Sequence, residues 1–288
     1  MAKNTVWVTG NHAVNAVLSL SPERAIACWV VPNRNQNVNK IGSKTADKNA
    51  QKSRRNNHQQ ELIDKAKSIG LAVQFTDKKG LARQCQSEQH QGIALEVTPK
   101  RDGTETELEH FVQELLVDKM PLLLILDQVQ DPHNFGACLR TADAAGAHAV
   151  VVAKDNASPM TPVVQKVASG AAETMPIFRV SNLARALDSL KKAGVWLIGT
   201  SDKAEHSLYQ ETLSGPLGLV MGAEGKGMRP LTERKCDSLV SLPMAGSIVS
   251  SLNVSVATGV CFMKLEGKED LTKTKRIKQA FCGLLRID

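Results

Sequence analysis

Leu122-Leu-Leu-Ile-Leu126 runs straight into Asp127-Gln-Val-Gln-Asp-Pro-His-Asn-Phe-Gly-Ala-Cys-Leu-Arg140. An unbroken apolar run of this length reads as a strand buried on both faces, as in a parallel sheet. The polar stretch after it then falls at the strand's carboxyl end, with a helix expected over 136–145. From there the chain alternates. Strands are expected at 147–152, 176–180, 195–200, 217–221 and 239–242. Helices are expected at 162–169, 182–193, 230–236 and 251–265. Strands separated by helices imply an α/β fold with a mostly parallel sheet covered on both faces.

Two further stretches share the character of the first. They are Met221-Gly-Ala-Glu-Gly-Lys-Gly227 and Leu242-Pro-Met-Ala-Gly-Ser-Ile-Val-Ser-Ser-Leu-Asn-Val-Ser255. Each follows an expected strand, and ligands in open α/β sheets bind beyond the carboxyl ends of strands. One composite site is therefore expected.

The glycines around Glu224 suggest a phosphate cradle of backbone amides. No Gly-Lys-Ser/Thr follows, so it is not a Walker loop, and no Gly-x-Gly-x-x-Gly opens a first βαβ unit. That counts against a hydride-transfer enzyme. Asn134 is expected to end its loop, with Arg140 projecting from the first turns of the helix. An Arg so placed needs an anion or a carboxylate, with Glu224 or Asp143 as the structural alternatives. Ser250 or Ser251 is expected to cap the last helix. Asn253, one turn inside, is a poor helix former. Capping does not explain it, whereas hydrogen bonds to a ligand or a facing loop would.

The first 97 residues read as a smaller α/β unit. Strands are expected at 6–10, 28–31, 71–75 and 92–97, with helices from Asn11, as cap, to Leu20 and over 60–68. The stretch 98–106 reads as a linker, and 107–117 as an amphipathic helix.

The formal net charge is +7. Most of it lies in an insertion at 33–60, where seven cations face Asp47, and seven minus one leaves +6. These are Arg34, Lys40, Lys44, Lys48, Lys52, Arg54 and Arg55. The insertion is rich in Asn and Gln and poor in apolar residues, a composition that does not order itself. It is read as a basic, disordered arm for RNA phosphates, or else as a passive solvated insertion. The lysines at 40, 44, 48 and 52 would form one stripe if the segment became helical on RNA.

The six cysteines, Cys28, Cys85, Cys138, Cys236, Cys261 and Cys282, are scattered. No Cys-x-x-Cys or Cys/His cluster suggests structural zinc or a disulfide framework. They are read as reduced, mostly buried thiols. No stretch has the length of a membrane span, and the start lacks a signal-peptide core. A cytoplasmic protein is expected.

The three motifs together resemble the SpoU family of RNA 2′-O-ribose methyltransferases, within the SPOUT superfamily. The resemblance rests on Asn134, Gly136 and Arg140; on Gly222, Glu224, Gly225 and Gly227; and on Pro243, Met244, Gly246, Ser251, Leu252, Asn253 and Ser255. It covers roughly 122–262. Gly10-Asn-His-Ala-Val-Asn-Ala-Val17 and His90-Gln-Gly-Ile93 are similar to the ends of the L30e-like substrate-binding domain that accompanies some members.

The resemblance implies a SPOUT domain with a deep trefoil knot over 107–288, preceded by the L30e-like RNA-binding domain at 1–97. It implies S-adenosyl-L-methionine as methyl donor, held around Gly222, Leu242, Leu252, Met244, Gly246 and Thr200. Arg140, Asn134, Glu224, Ser251 and Asn253 would be catalytic, with no metal. The implied assembly is a homodimer. The implied substrate is a guanosine ribose in the peptidyl-transferase region of 23S rRNA, or in its precursor. A tRNA 2′-O-methyltransferase and a non-catalytic RNA-binding ribosome-assembly factor are the alternatives. One departure stands out: Ile248-Val249 makes the third loop one residue longer than the family pattern, so a bulge is expected there.

Overall fold

The computed structural model describes residues 5–32, 46–211, 214–246, 248 and 251–266. The chain divides into two compact units, with the boundary between Lys100 and Arg101.

In the first unit the order is β1 (Val6–Thr9), α1 (Asn11–Leu20), β2 (Ala25–Val30), α2 (Ala46–Ser68), β3 (Val73–Phe75), α3 (Lys78–Cys85) and β4 (Ile93–Val97). The sheet order is β1-β4-β2-β3. β4 runs antiparallel to both β1 and β2, and β3 is parallel to β2. Val14, Val17 and Leu18 of α1 and Leu62, Ile63 and Ala66 of α2 cover one sheet face. Each large apolar side chain buried in this way contributes about 1.5–3 kcal/mol.

Two expectations change in this unit. Asn11 is the first helical residue and not the cap; Gly10, at φ 89°, holds that position. A left-handed backbone there suits only glycine, and the Asn11 N–H instead meets Gln91 Oε1 at 3.2 Å. The second helix also begins at Ala46 and not at residue 60, so disorder does not extend across 46–60. Docking of Leu62, Ile63 and Ala66 supplies the helix nucleus, and Ala, Lys, Gln and Arg upstream propagate it cheaply. Lys48, Lys52, Arg54 and Arg55 therefore lie on helical backbone. Lys40 and Lys44 lie outside the described residues, as does the tail from 267.

The second unit opens with α4 (Glu105–Asp118), whose capping box joins Thr104 and Glu107. It continues with β5 (Leu122–Leu126), α5 (Pro132–Ala144), β6 (Ala149–Ala153), α6 (Pro162–Ala168), α7 (Ala171–Thr174), β7 (Ile177–Val180), α8 (Leu183–Lys192), β8 (Trp196–Thr200) and β9 (His206–Ser207). It ends with β10 (Leu217–Met221), α9 (Pro230–Lys235), β11 (Ser238–Ser241) and α10 (Val254–Glu266). The sheet order is β7-β6-β5-β10-β8-β11-β9, and every pairing is parallel. The unit is thus α/β with a parallel sheet, as expected. Alternate residues of β5 feed opposite cores. Leu124 and Leu126 pack with α5, α6 and α10, while Leu123 and Ile125 pack with α4 and α8.

The stretch read as a linker is tied down on both sides of the boundary. Thr98 N–H donates to Arg24 O within the first unit. Within the second, Gly103 pairs with Phe178 and Asp102 bonds Arg179 at 2.7 Å.

Two helix starts differ from expectation, and both move a site residue. α5 begins at Pro132, because Asp131 caps it through Asn134 N–H at 2.8 Å and Pro suits the first helical position. Asn134 therefore sits inside the first turn and does not end a loop. α10 begins at Val254, which leaves Asn253 immediately ahead of it. Ser251 lies two residues upstream of Asn253, and Ser250 is outside the described residues.

α5 presses closely on α6. A Cβ on Gly136 would meet Val164 O at 2.8 Å and Val167 Cβ at 2.9 Å. Gly136→Ala is expected to lower stability by about 1–3 kcal/mol through overpacking. Thermal unfolding by circular dichroism checks this; an unchanged or higher melting temperature would contradict the close approach.

Candidate active site

β5 and β10 are neighbours, so their carboxyl ends, Leu126 and Met221, open side by side. β8 pairs with the other edge of β10, and β11 with β8. The three polar stretches leave the ends of β5, β10 and β11, and they converge.

Asn253 and Asn134 grip Glu224. Asn134 Nδ2 donates to Glu224 Oε2 at 3.0 Å. Asn253 Nδ2 donates to Asn134 Oδ1 at 2.8 Å and to Glu224 Oε2 at 3.2 Å. The other end of Asn253 caps α10. Its Oδ1 accepts from Ser255 N–H at 3.0 Å and from Ser255 Oγ at 2.6 Å. The view that capping does not explain Asn253 is thus half corrected, because one amide both caps a helix and faces a neighbouring loop. Among the described residues, Glu224 Oε1 accepts no hydrogen bond.

The Gly222–Gly227 loop does not cradle an anion with all its amides. Ala223 N–H donates to Gly227 O at 3.0 Å and Gly227 N–H to Ala223 O at 2.8 Å, so the loop closes on itself. The result is a small hairpin that lifts Glu224, Gly225 and Lys226 into solvent. Gly222 lies at its base, where a Cβ would come within 2.1 Å of the Gly227 carbonyl carbon. No side chain fits there.

Asp127 and Arg229 are the residues that sequence reasoning missed. Asp127 is fully buried and accepts from Arg229 N–H and Arg229 Nε, each at 2.8 Å. Arg229 Nη2 also lies 2.8 Å from Asp127 Oδ1. Asp127 opens the first motif, but its partner lies 102 residues away. Neither spacing nor residue type pairs them.

Arg140 is exposed on α5 and makes no ion pair among the described residues. The structural alternatives, Glu224 and Asp143, do not take it up. Glu224 is held by the two carboxamides, and Asp143 accepts from Thr174 at 2.8 Å. Thr200 ends β8 and contacts Met221 Sδ at 3.5 Å. Leu242 and Leu252 are half-buried against the core under α5 and α10. Met244 is half-buried, Ser251 is exposed, and Gly246 has open space around it. The structure therefore joins Asn134, Glu224 and Asn253 directly and leaves Arg140 and Ser251 exposed. Ile248 is almost wholly exposed, at 94%, where the lengthened loop was expected to bulge.

Cys138 is sealed between α5 and α10, 3.8 Å from Thr258 Oγ1. Burial pushes its thiol up to about 12, and those of Cys236 and Cys261 likewise to about 12. Thiols held so firmly protonated are poor nucleophiles. The described cysteines are all free; Cys282 lies outside the described residues. Among the described residues no group of three or more His, Cys, Asp or Glu is placed to hold a metal ion, and no helix is long and apolar enough to cross a membrane.

Fold and site together define an α/β protein of the kind that works at the carboxyl edge of a parallel sheet. Residues 121–263 match the SpoU rRNA Methylase family, and residues 48–103 match the family described as RNA 2'-O ribose methyltransferase substrate binding. A protein of Haemophilus influenzae named 23S rRNA (guanosine-2'-O-)-methyltransferase RlmB is 46% identical over 260 residues, 90% of this chain and 96% of its own. Its namesake from Shewanella oneidensis is 47% identical over 258 residues, 89% of this chain and 95% of its own. The chain belongs to the SpoU rRNA methylase family.

Solved structures agree on the fold. The SpoU methyltransferase AviRb from Streptomyces viridochromogenes, in complex with AdoMet, aligns with a TM-score of 0.66 at 18% identity over 91% of this chain and 89% of that one. An AdoMet-bound rRNA methyltransferase from Sinorhizobium meliloti gives 0.67 at 19% identity over 91% and 86%.

Asn253→Asp keeps the shape of the side chain and its cap but replaces the donating amide with a carboxylate facing Glu224. Methyl-transfer activity is expected to fall by two orders of magnitude or more, roughly the weight of one preorganised polar contact. Steady-state kinetics on the purified variant checks this. Activity within threefold of the parent would show that the contact between Asn253 and Glu224 is dispensable.

Proposed function

We propose that the protein transfers a methyl group from S-adenosyl-L-methionine to the ribose 2′-oxygen of a guanosine in 23S rRNA. The observation that carries this reading is the joining of Asn134, Glu224 and Asn253, with Arg140 exposed on α5 and without a carboxylate partner among the described residues. Family membership and near-complete coverage of relatives named for this reaction support the substrate.

The residues at the strand ends fit an adenosyl group. Gly222 can bear no side chain, so backbone faces the end of β10. Leu242, Met244 and Leu252 offer half-buried apolar surface, and Gly246 leaves open space. When bound, the donor supplies an already activated sulfonium methyl. The protein's task is then orientation and charge management, and orientation alone can supply a large share of the barrier reduction.

A guanidinium does not give up its proton in proteins, so Arg140 serves as a cation. It holds an RNA phosphate and stabilises negative charge developing on the 2′-oxygen. Glu224 Oε1 and the remaining hydrogen of Asn134 Nδ2 are the groups of the triad left to face a ribose. Ser251, exposed two residues before Asn253, belongs to the same reading.

We assign the first unit, with the helical part of the basic insertion, to RNA binding through Lys40, Lys44, Lys48, Lys52, Arg54 and Arg55. The threading of a trefoil knot, a cytoplasmic location and a homodimer belong to the same reading. Val256 and Met263, seven residues apart on α10, are 51% and 59% exposed and give that helix an apolar outer face suited to a second copy.

The test is transfer of labelled methyl to 23S rRNA fragments and to tRNA, side by side. Label on a 23S fragment, alkali-resistant at one ribose, is the expected result; label on tRNA alone would overturn the substrate. Arg140→Ala is expected to abolish turnover while leaving S-adenosylmethionine affinity within about threefold. Near-normal turnover in that variant would remove Arg140 from the chemistry. Deleting 33–45 and neutralising Lys48, Lys52, Arg54 and Arg55 should weaken RNA binding and flatten its dependence on salt. Equal affinity at every salt concentration would make the insertion passive.

A further inference from the structure

Asp127 holds both ends of the loop that carries Glu224. Its backbone N–H donates to Met221 O at 2.8 Å, at the point where that loop leaves β10. Its carboxylate takes the backbone N–H and the guanidinium of Arg229, at the point where the loop returns. From the same residue the chain runs on to Asp131, which caps α5 through Asn134 N–H. Asn134 then donates to Glu224. The contacts close a ring: Asp127 to Asp131, to Asn134, to Glu224, through the hairpin to Arg229, and back to Asp127.

We propose that Asp127 and Arg229 are a positioning pair that sets the separation of Asn134 and Glu224. The proposal rests on the methyltransferase reading. It adds two residues that act through Glu224. Two features of the ring support this. Among the described residues the hairpin is held within itself by the Ala223–Gly227 pair alone, so its tilt must be fixed from outside. The fixing group is also fully buried, in contrast to the exposed loop it governs. A buried carboxylate is stable only when its hydrogen bonds are satisfied. Here one arginine satisfies both oxygens, and it is therefore held in one place.

The discriminating variant is Arg229→Lys. Its side chain is 41% exposed, so the change keeps the charge and spares the core, but it loses the planar fork that engages Asp127. The expected result is a fall in kcat on the order of tenfold to a hundredfold, the usual cost of a reacting group displaced by about an ångström. KM for RNA should stay within about twofold. Backbone hydrogen exchange across 222–228 should rise with no change in the exchange of β5 and β10. Asp127→Asn, which keeps the volume, should do the same.

A double variant separates positioning from general structural support. If the pair acts through Glu224, Arg229→Lys added to Glu224→Gln should slow the reaction no further than Glu224→Gln alone, within about twofold. Full multiplication of the two effects would overturn the proposal, as would wild-type kcat and unchanged exchange in Arg229→Lys. Should Asp127→Asn fail to fold, the more exposed Arg229→Lys still decides. If the wild-type protein methylates no RNA, the functional reading fails, and the exchange measurement alone still tests the ring.

Discussion

The parallel pairing of Leu122–Leu126 with Leu217–Met221 is the contact on which the site depends. These strands are far apart in sequence, yet the later one inserts beside the earlier and between it and β8. The insertion brings two strand ends, each followed by polar residues, into adjacent positions. The strands themselves are buried on both faces and carry no polar side chains beyond their ends. Polar chemistry therefore has one place to go, the carboxyl edge, and the third loop joins it from β11. Burial on both faces also explains why the site is built from loops and helix starts, since strand side chains are committed to the core.

At that edge, two asparagines do two jobs each. Asn253 caps a helix with its oxygen and grips Glu224 with its nitrogen. Asn134 gives its backbone N–H to a cap and its side chain to Glu224. Such double use leaves few alternative rotamers, and a group with few alternatives is already where it will be needed. Arg140 is the opposite case. It stands exposed on α5 without an ion-pair partner among the described residues, so its charge is available to something from outside.

Much of this was legible from the residues. Leu122–Leu126 announced a two-sided strand, the three glycine- and asparagine-bearing stretches announced loops, and their placement after strands announced one site. The meeting of Asn134, Glu224 and Asn253 followed from that placement. What escaped was pairwise. Asp127 and Arg229 are each unremarkable in sequence, and only the fold puts one against the other. The start of α5 escaped because Gly136 drew attention away from Asp131-Pro132, the true cap and first turn. The length of α2 escaped because composition describes what a segment does alone, and here three apolar residues downstream dock and carry the helix backward.

The hydrogen bonds that assemble the site span 90 residues between Asn134 and Glu224 and 119 between Asn134 and Asn253. Contacts so distant in sequence form late, after the loops between them have closed. During synthesis at roughly 5–20 residues per second, Asn253 follows Asn134 off the ribosome by roughly 6–24 s. For the first 90 of those 119 residues Asn134 has neither of its partners, and for the remaining 29 it has Glu224 but not Asn253. The cluster at the carboxyl edge is thus assembled late: until α10 docks, Asn253 is not in place to join Asn134 and Glu224.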